Sequence, residues 1–241
     1  MSSQTALPQR LYLMQVATRH AADMPWPIPY PCYLIQLSDG KYILIDTGWP
    51  EGLSLPNIEL HQNVVEQLAL LNVRPEEIKM LICTHFDLDH VGMHSTFTNA
   101  ELIVQREHYE LARSGYERFA SGRPLWDHSA LRYRLVDGDT ELLPGLKLLA
   151  THGHIRGHQS VLVHLPELGS VLLTIDAVLN QGDFRPDRQP RPFDEDQDGE
   201  LVRAGARKLI EVAEHEQAAL IIFGHDGQQW PTLKKLPAYY Q

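Results

Sequence analysis

Cys83-Thr84-His85-Phe86-Asp87-Leu88-Asp89-His90-Val91-Gly92 is the stretch that decides the fold of this chain. It begins at the last of the apolar residues 80–83, which predict a short buried strand. Its polar and apolar side chains alternate, so His85, Asp87 and Asp89 would point the same way from an extended chain. Imidazole and carboxylate are the groups that borderline and hard divalent cations select. The stretch predicts a metal-binding loop, with a polar turn that caps a helix beginning near His90 as the alternative.

Three later segments also place a histidine or an aspartate at the end of an apolar, strand-like run. They are HGHIRGHQS at 152–160, LLTID at 172–176 and IIFGHD at 221–226. Strand ends of this kind can converge on one edge of a sheet sandwich. The repetition therefore favours a metal site over a capped turn.

Strands and helices are predicted in two comparable halves. The first half has strands at 11–17, 32–37, 41–46, 80–83 and 102–104 and helices at 63–71 and 105–113; the second has strands at 133–136, 146–150, 160–164, 171–175 and 219–223 and a helix at 201–214. This order favours an αββα four-layer sandwich over a doubly wound sheet. The proline-rich residues 25–31 and the irregular residues 181–198 are expected to be surface connections, with a contribution of either segment to a substrate pocket as the alternative.

Several motifs in the same order make the chain resemble the metallo-β-lactamase-fold hydrolases, and most closely the N-acyl-homoserine-lactone lactonases. They are the Asp46-Thr47-Gly48 turn, the metal loop, residues 100–106 with Tyr109, and the segments 157–160, 172–177 and 223–226. The resemblance implies an α+β protein with the metallo-β-lactamase fold. It covers nearly the whole length, and we expect a single metallo-hydrolase domain over residues 1–241.

The resemblance implies a dinuclear site with seven protein ligands. The first metal would be bound by His85, Asp87 and His158. The second would be bound by Asp89, His90 and His225, and Asp176 would bind both. A hydroxide held between the metals would open a lactone or related small ester, with N-acyl homoserine lactone as the expected substrate. Asp89 or Asp176 would pass the proton. Zinc is the expected ion, with manganese or iron as alternatives.

Two residues depart from the family pattern. Asp87 stands where the loop usually carries its second histidine, so a direct ligand, a residue supporting a ligand, and loss of the first metal all remain open. Leu179 lies where the lactonases carry a tyrosine that helps the reacting carbonyl. A different oxyanion donor or a different ester would then be needed.

The remaining polar residues of these motifs have less direct expected roles. Asp46 is expected to brace the metal loop. Cys83 is expected to be a buried thiol rather than a ligand. His94 is expected on a helix surface, while His152 and His154 are expected to be loop residues without metal contact. Structural or exposed positions are expected for five further histidines: His61, His108, His128, His164 and His215.

The composition of the chain favours some classes of binding partner over others. The 241 residues are 43% hydrophobic, which suffices for one large domain with a substantial core. A net charge of −10 disfavours nucleic-acid binding, which depends on clustered Lys and Arg. No signal peptide or membrane span is predicted. We expect a cytoplasmic enzyme with a small-molecule substrate, and the oligomeric state is left open.

Other functions remain as alternatives. A glyoxalase-II-like thioesterase or another small-molecule esterase would use the same nucleophile with a different pocket. A metal-depleted, non-catalytic protein would keep only the fold. A diiron reductase is suggested by the carboxylate at Asp87 alone, and the chain has no room for the flavin domain that usually supplies electrons to such enzymes.

Overall fold

The structure, a computed structural model, describes residues 6–22, 24–191 and 198–241. Seven strands form the first sheet: β1 Pro8–Arg19, β2 Ile28–Leu37, β3 Tyr42–Ile45, β4 Ile58–Leu60, β5 Ile78–Ile82, β6 Glu101–Gln105 and β7 Arg132–Val136. Their order across the sheet is β4-β1-β2-β3-β5-β6-β7. The pairs β3 with β5, β5 with β6 and β6 with β7 are parallel, so β3, β5 and β6 all end at the same edge.

The second sheet has five strands: β8 Thr140–Leu143, β9 Leu146–Ala150, β10 Gln159–Leu165, β11 Gly169–Ile175 and β12 Leu220–Phe223. Their order is β12-β11-β10-β9-β8. The helices are α1 Val64–Ala69, α2 Leu88–Val91, α3 Arg106–Arg113, α4 Arg123–Trp126 and α5 Gly199–His215. The sequence patterns missed β4, β8 and α4, which are elements of only three or four residues. The helix α2 begins at Leu88, two residues before the start near His90 that the sequence suggested.

The two sheets face each other across one apolar core. Leu13 and Ile35 of the first sheet belong to the same buried cluster as Val161 and Leu173 of the second. Leu172, next along β11, packs instead with Leu209 of α5 on the outer face. Both faces of β11 are therefore covered, which explains its continuous apolar sequence.

The first sheet is covered in the same way. Val64 and Leu68 of α1 pack with Leu34 and Leu44 on its outer face. Asn63 caps this helix: its side chain accepts a hydrogen bond from the Glu66 amide at 2.9 Å, and the Glu66 carboxylate accepts one from the Asn63 amide at 2.8 Å. The layers run helix, sheet, sheet, helix, and the predicted αββα sandwich is confirmed.

The proline-rich segment differs from its prediction, because β2 starts at Ile28 and includes Pro29 and Pro31. Thr18 pairs with Pro29 and Gln15 with Pro31 on β1, whereas β3 joins β2 only from Tyr33 onward. Among the described strands, this half of β2 therefore has a neighbour on one side only. Proline is tolerated there because it lacks the amide hydrogen that a second neighbour would need.

Two expectations from composition can be compared with the structure. Cys83 is a buried free thiol, as predicted, and Cys32 is a second one. Across the described ranges, no helix combines the length and the apolar character needed to span a bilayer. The prediction for residues 181–198 falls partly on residues 192–197, which lie outside the described residues.

Candidate metal centre

Asp46 holds the metal loop in place from the end of β3. Its side chain is 1% exposed and accepts hydrogen bonds from the Thr84 amide at 2.8 Å and the Thr84 hydroxyl at 2.6 Å. The same carboxylate accepts a third, from Nδ1 of His90, at 2.8 Å. The predicted bracing role of Asp46 is confirmed.

These contacts determine which ring nitrogen each histidine presents to the site. His90 must carry its proton on Nδ1 to donate to Asp46, and the Thr84 hydroxyl lies 3.1 Å from Nδ1 of His85. Since that hydroxyl already donates to Asp46, it can only accept from His85. The Nε2 atoms of His85 and His90 have no hydrogen-bond partner within the described residues. In the neutral ring, each histidine therefore directs its proton-free nitrogen, Nε2, into the site.

Asp176 reaches the site through a strained backbone. Ile175, the last residue of β11, has a φ of 51°, a conformation that β-branched residues rarely adopt. The turn directs the Asp176 side chain toward the metal loop. Its Oδ1 also lacks a hydrogen-bond partner among the described residues. Strain of this kind is typical of functional sites.

The loop 151–158 brings a different histidine to the site from the one that the sequence predicted. Both ring nitrogens of His158 are used by the protein: Nδ1 lies 3.1 Å from the Thr151 carbonyl oxygen, and Nε2 accepts a hydrogen bond from the Asp176 amide at 3.2 Å. The structure thus places His158, which was predicted as a first-metal ligand, outside both candidate ligand groups. His154 takes that place instead, with Nε2 3.0 Å from Oδ2 of Asp87 and 3.5 Å from Oδ2 of Asp176.

His108 and Gly157 fix this loop against the metal loop. His108 is fully buried; its Nδ1 lies 2.7 Å from the Arg156 carbonyl oxygen, and its Nε2 accepts a hydrogen bond from the Phe86 amide at 2.8 Å. Gly157 has a φ of 73°, and a Cβ there would lie 2.4 Å from the backbone nitrogen of His108. The structural role predicted for His108 is confirmed, and only glycine fits beside it.

The free half of β2 orients His225. Nδ1 of His225 donates to the Pro29 carbonyl oxygen at 2.7 Å, which leaves Nε2 facing Asp89 and Asp176. The Tyr30 ring packs edge-on against the His225 ring, with the centroids 5.3 Å apart. A segment predicted to be a surface connection therefore supports the site.

The side chains form two ligand groups that share Asp176. The first contains His85, Asp87, His154 and Asp176, whose ligand atoms all lie within 4.8 Å of one another. From Nε2 of His85, Oδ2 of Asp87 lies at 3.2 Å and Oδ2 of Asp176 at 3.7 Å. Ligands about 2.0–2.1 Å from a tetrahedral zinc ion are about 3.3–3.4 Å apart. The first group has the dimensions of such a site.

The second group has similar dimensions on the other oxygen of Asp176. Nε2 of His90 lies 3.6 Å from Oδ2 of Asp89 and 3.5 Å from Oδ1 of Asp176. Nε2 of His225 lies 3.5 Å and 3.3 Å from the same two atoms. Each group thus offers two nitrogens and two oxygens, and the residues fit two divalent ions bridged by Asp176.

The charges in the site attract a cation. Burial opposes protonation of His90, but Asp89, Asp176 and Asp46 raise its pKa well above the usual value. His85 behaves differently, because burial and the nearby His90 lower its pKa to about 3. An excess of negative charge therefore surrounds His90, which a bound metal ion would neutralise.

Asp87 has a partner that no sequence pattern indicated. Nε of Arg118 donates to Oδ1 of Asp87 at 2.7 Å, and the Nη2 group of Arg118 donates to Oδ2. Nη2 also lies 2.9 Å from Nε2 of His154. Burial would raise the pKa of Asp87, but His85 and the hydrogen bonds from His154 and Arg118 hold it well below its usual range.

A cavity of about 300 Å³ opens above both ligand groups. Its apolar lining includes Met24, Ile28 and Leu179, and Arg191 lies among its polar residues. Both segments expected to be surface connections, 25–31 and 181–198, therefore contribute to the cavity. Leu179 indeed offers no hydroxyl to a bound substrate.

His94 also differs from its prediction. It is fully buried rather than on a helix surface, and neither ring nitrogen has a hydrogen-bond partner within the described residues. Burial and the nearby His90 lower its pKa to about 3. Potential ligand atoms of His94, Asp46 and Cys83 all lie within 4.8 Å of one another.

Comparison with known proteins identifies the family. Residues 25–225 match the metallo-beta-lactamase superfamily. This chain belongs to that superfamily. An N-acyl homoserine lactonase of Bacillus thuringiensis is 34% identical over 227 residues, covering 88% of this chain and 87% of that protein. An N-acyl homoserine lactonase of Azorhizobium caulinodans is 32% identical over 264 residues, covering 96% and 98%.

Solved structures of N-acyl homoserine lactone lactonases show the same fold. A quorum-quenching N-acyl homoserine lactone lactonase matches with a TM-score of 0.85 at 30% identity, covering 98% of this chain and 100% of that one. An N-acyl homoserine lactone hydrolase with the product N-hexanoyl-L-homoserine at its catalytic metal centre matches with a TM-score of 0.82 at 30% identity, covering 97% and 100%. The expected resemblance is confirmed.

Proposed function

We propose that this protein is a metal-dependent lactonase that opens the ring of N-acyl homoserine lactones, with residues 1–241 forming one catalytic domain. The main support is the pair of four-atom ligand groups that share Asp176 at the base of the cavity. The lactonases among its relatives support the substrate class. The shared core of the two sheets supports one domain.

Seven residues would hold two divalent ions, with zinc as the expected metal. They are His85, Asp87 and His154 for the first ion, Asp89, His90 and His225 for the second, and Asp176 for both. Two imidazoles and two carboxylate oxygens per ion suit zinc, and the oxygen share keeps manganese and iron as alternatives. When bound, such ions polarise an ester carbonyl and lower the pKa of a water molecule.

The protein's own groups would position the lactone and carry the proton. Asp89 lines the cavity, and its side chain is 18% exposed. Because Asp89 faces the cavity, its carboxylate would take a proton from water and return it to the departing ring oxygen. The balanced reaction adds one water molecule across the ester and gives an N-acyl homoserine. Met24, Ile28 and Leu179 would contact the acyl chain.

The test combines metal quantification with a substrate panel. N-hexanoyl homoserine lactone, an aryl ester and a glutathione thioester would be compared, with acid release followed by a pH indicator. We expect the lactone to have the highest kcat/KM, and we expect chelation to abolish turnover and zinc to restore it. A preference for the thioester would favour a glyoxalase-II-like enzyme, and a protein without metal or turnover would be the non-catalytic alternative.

A further inference from the structure

The pair formed by Asp87 and Arg118 is built into the first ligand group. Two donors of the guanidinium contact both oxygens of the carboxylate, and the side chains are only 12% and 15% exposed. A paired geometry of this kind gives direction as well as charge. Oδ2 of Asp87, which faces His85 and His154, is thereby held in the first ligand group.

Arg118 is placed by a well-anchored turn. It lies in the 3-10 turn Glu117–Phe119, which follows α3. Phe119 is 1% exposed, and its ring packs edge-on against Phe86 of the metal loop and against His108. The turn and the metal loop therefore share one packed cluster, and Arg118 is directed at Asp87 rather than meeting it by chance.

The charges of the pair cancel. A carboxylate in place of a neutral imidazole adds one negative charge to the first ligand group, and the guanidinium adds one positive charge beside it. Asp87 and Arg118 together therefore carry the same net charge as the single histidine usual in the family loop. Inside a largely buried site, an uncompensated charge would strongly change the attraction for a cation.

We propose that Arg118 is a positioning residue for the first metal: it fixes Asp87 with one oxygen toward the ion and compensates the charge that Asp87 introduces. The two residues would act together as a replacement for the family's second histidine. This inference rests on the proposed two-metal centre, although it does not depend on the lactone substrate.

The conservative variant Arg118→Lys separates geometry from charge. It keeps the positive charge but cannot make the two parallel hydrogen bonds. We expect its affinity for the first zinc ion to fall about tenfold to a hundredfold, the usual range for losing a group that orients a ligand. Affinity for the second ion should stay within about threefold, since the contacts described above join Arg118 to Asp87 and His154 of the first group. Equal first-ion affinity in the variant and the wild type would overturn the proposal.

A double-mutant cycle tests the pairing itself. In any background, Arg118→Met removes a positive charge that repels the metal cation. Only where Asp87 is present does it also remove the hydrogen bonds that orient the Asp87 carboxylate. Its effect on first-ion affinity should therefore be about tenfold to a hundredfold more favourable in the Asp87→His background than in the wild type. Zinc affinities would be measured on the apo proteins by competition with a chromogenic chelator.

The outcomes separate this inference from the proposed function. If the wild type binds two zinc equivalents and the effects of the Arg118 and Asp87 substitutions on first-ion affinity are additive, the role of Arg118 is overturned but the two-metal centre stands. Fewer than two equivalents in the wild type would overturn the two-metal centre and the inference with it. A protein that binds two ions and shows the predicted coupling without opening lactones would support the inference and refute the substrate.

Discussion

The substitution Asp46→Asn should weaken metal binding through the tautomer of His90. The carboxylate accepts three hydrogen bonds, from the Thr84 amide, the Thr84 hydroxyl and Nδ1 of His90. An asparagine of the same shape has only one acceptor oxygen. If its amide group faces His90, the imidazole must move its proton to Nε2, the atom that would bind the second metal.

The magnitude follows from those contacts. If the asparagine oxygen instead faces His90, its amide group meets the Thr84 amide, and two buried donors oppose each other at a cost of about 1–3 kcal/mol. Either arrangement weakens binding of the second ion. We expect affinity for the second ion to fall about tenfold to a hundredfold, which is about 1.4–2.7 kcal/mol.

Chelator competition on the apo protein measures this loss, and urea unfolding measures the accompanying change in stability. Asp198→Asn is the matched control, because Asp198 also accepts backbone hydrogen bonds but caps α5 outside both ligand groups. The control should keep its metal affinity. Two ions held by Asp46→Asn as tightly as by the control would refute the reasoning.

Four further predictions follow from the site and the surface charge. His154→Ala should lose the first ion and most turnover, whereas His152→Ala in the same loop should retain two equivalents by elemental analysis. Burial lowers the pKa of His108 to about 4 from 6.5, so the unfolded chain takes up the proton first as the pH falls. The free energy of unfolding, measured by urea titration, should therefore fall by up to about 3 kcal/mol between about pH 6.5 and pH 4, and by less in His108→Asn. Leu179→Tyr should raise kcat on lactones if its hydroxyl reaches the carbonyl, and an unchanged kcat would place the oxyanion elsewhere. Nucleic acid should not bind at physiological salt, and a salt-sensitive complex of micromolar affinity would contradict this.

The strand ends were predictable from sequence because the apolar runs stop where His and Asp begin. The sequence could not show whether His154 or His158 lies in the first ligand group. Both histidines lie in one short loop, and only the path of that loop decides which ring faces Asp87 and Asp176. That path depends on the positive φ of Gly157 and on contacts with Thr151. The metal-loop motif likewise cannot reveal Arg118, which lies 31 residues beyond Asp87 and meets it only through the packing of a turn.

The burial of His94 was hidden for a similar reason. In sequence it follows the glycine of the metal loop and has the polar character of a helix surface. Gly92 packs directly against the Asp-Thr-Gly turn, and a Cβ there would lie 2.3 Å from the Gly48 carbonyl oxygen. That close approach draws the following residues inward. Contacts between two glycines leave no periodic signal in the sequence.

The prolines at the free half of β2 also bear on how copies of this protein avoid one another. Residues two apart on a strand direct their backbone groups to the same side, so Pro31 shares the open side on which Pro29 reaches His225. Both prolines are buried, the Pro29 carbonyl is already occupied by His225, and neither residue has an amide hydrogen to offer an incoming strand. Intermolecular sheet extension is thus discouraged beside the cavity, where an added strand would block substrate entry.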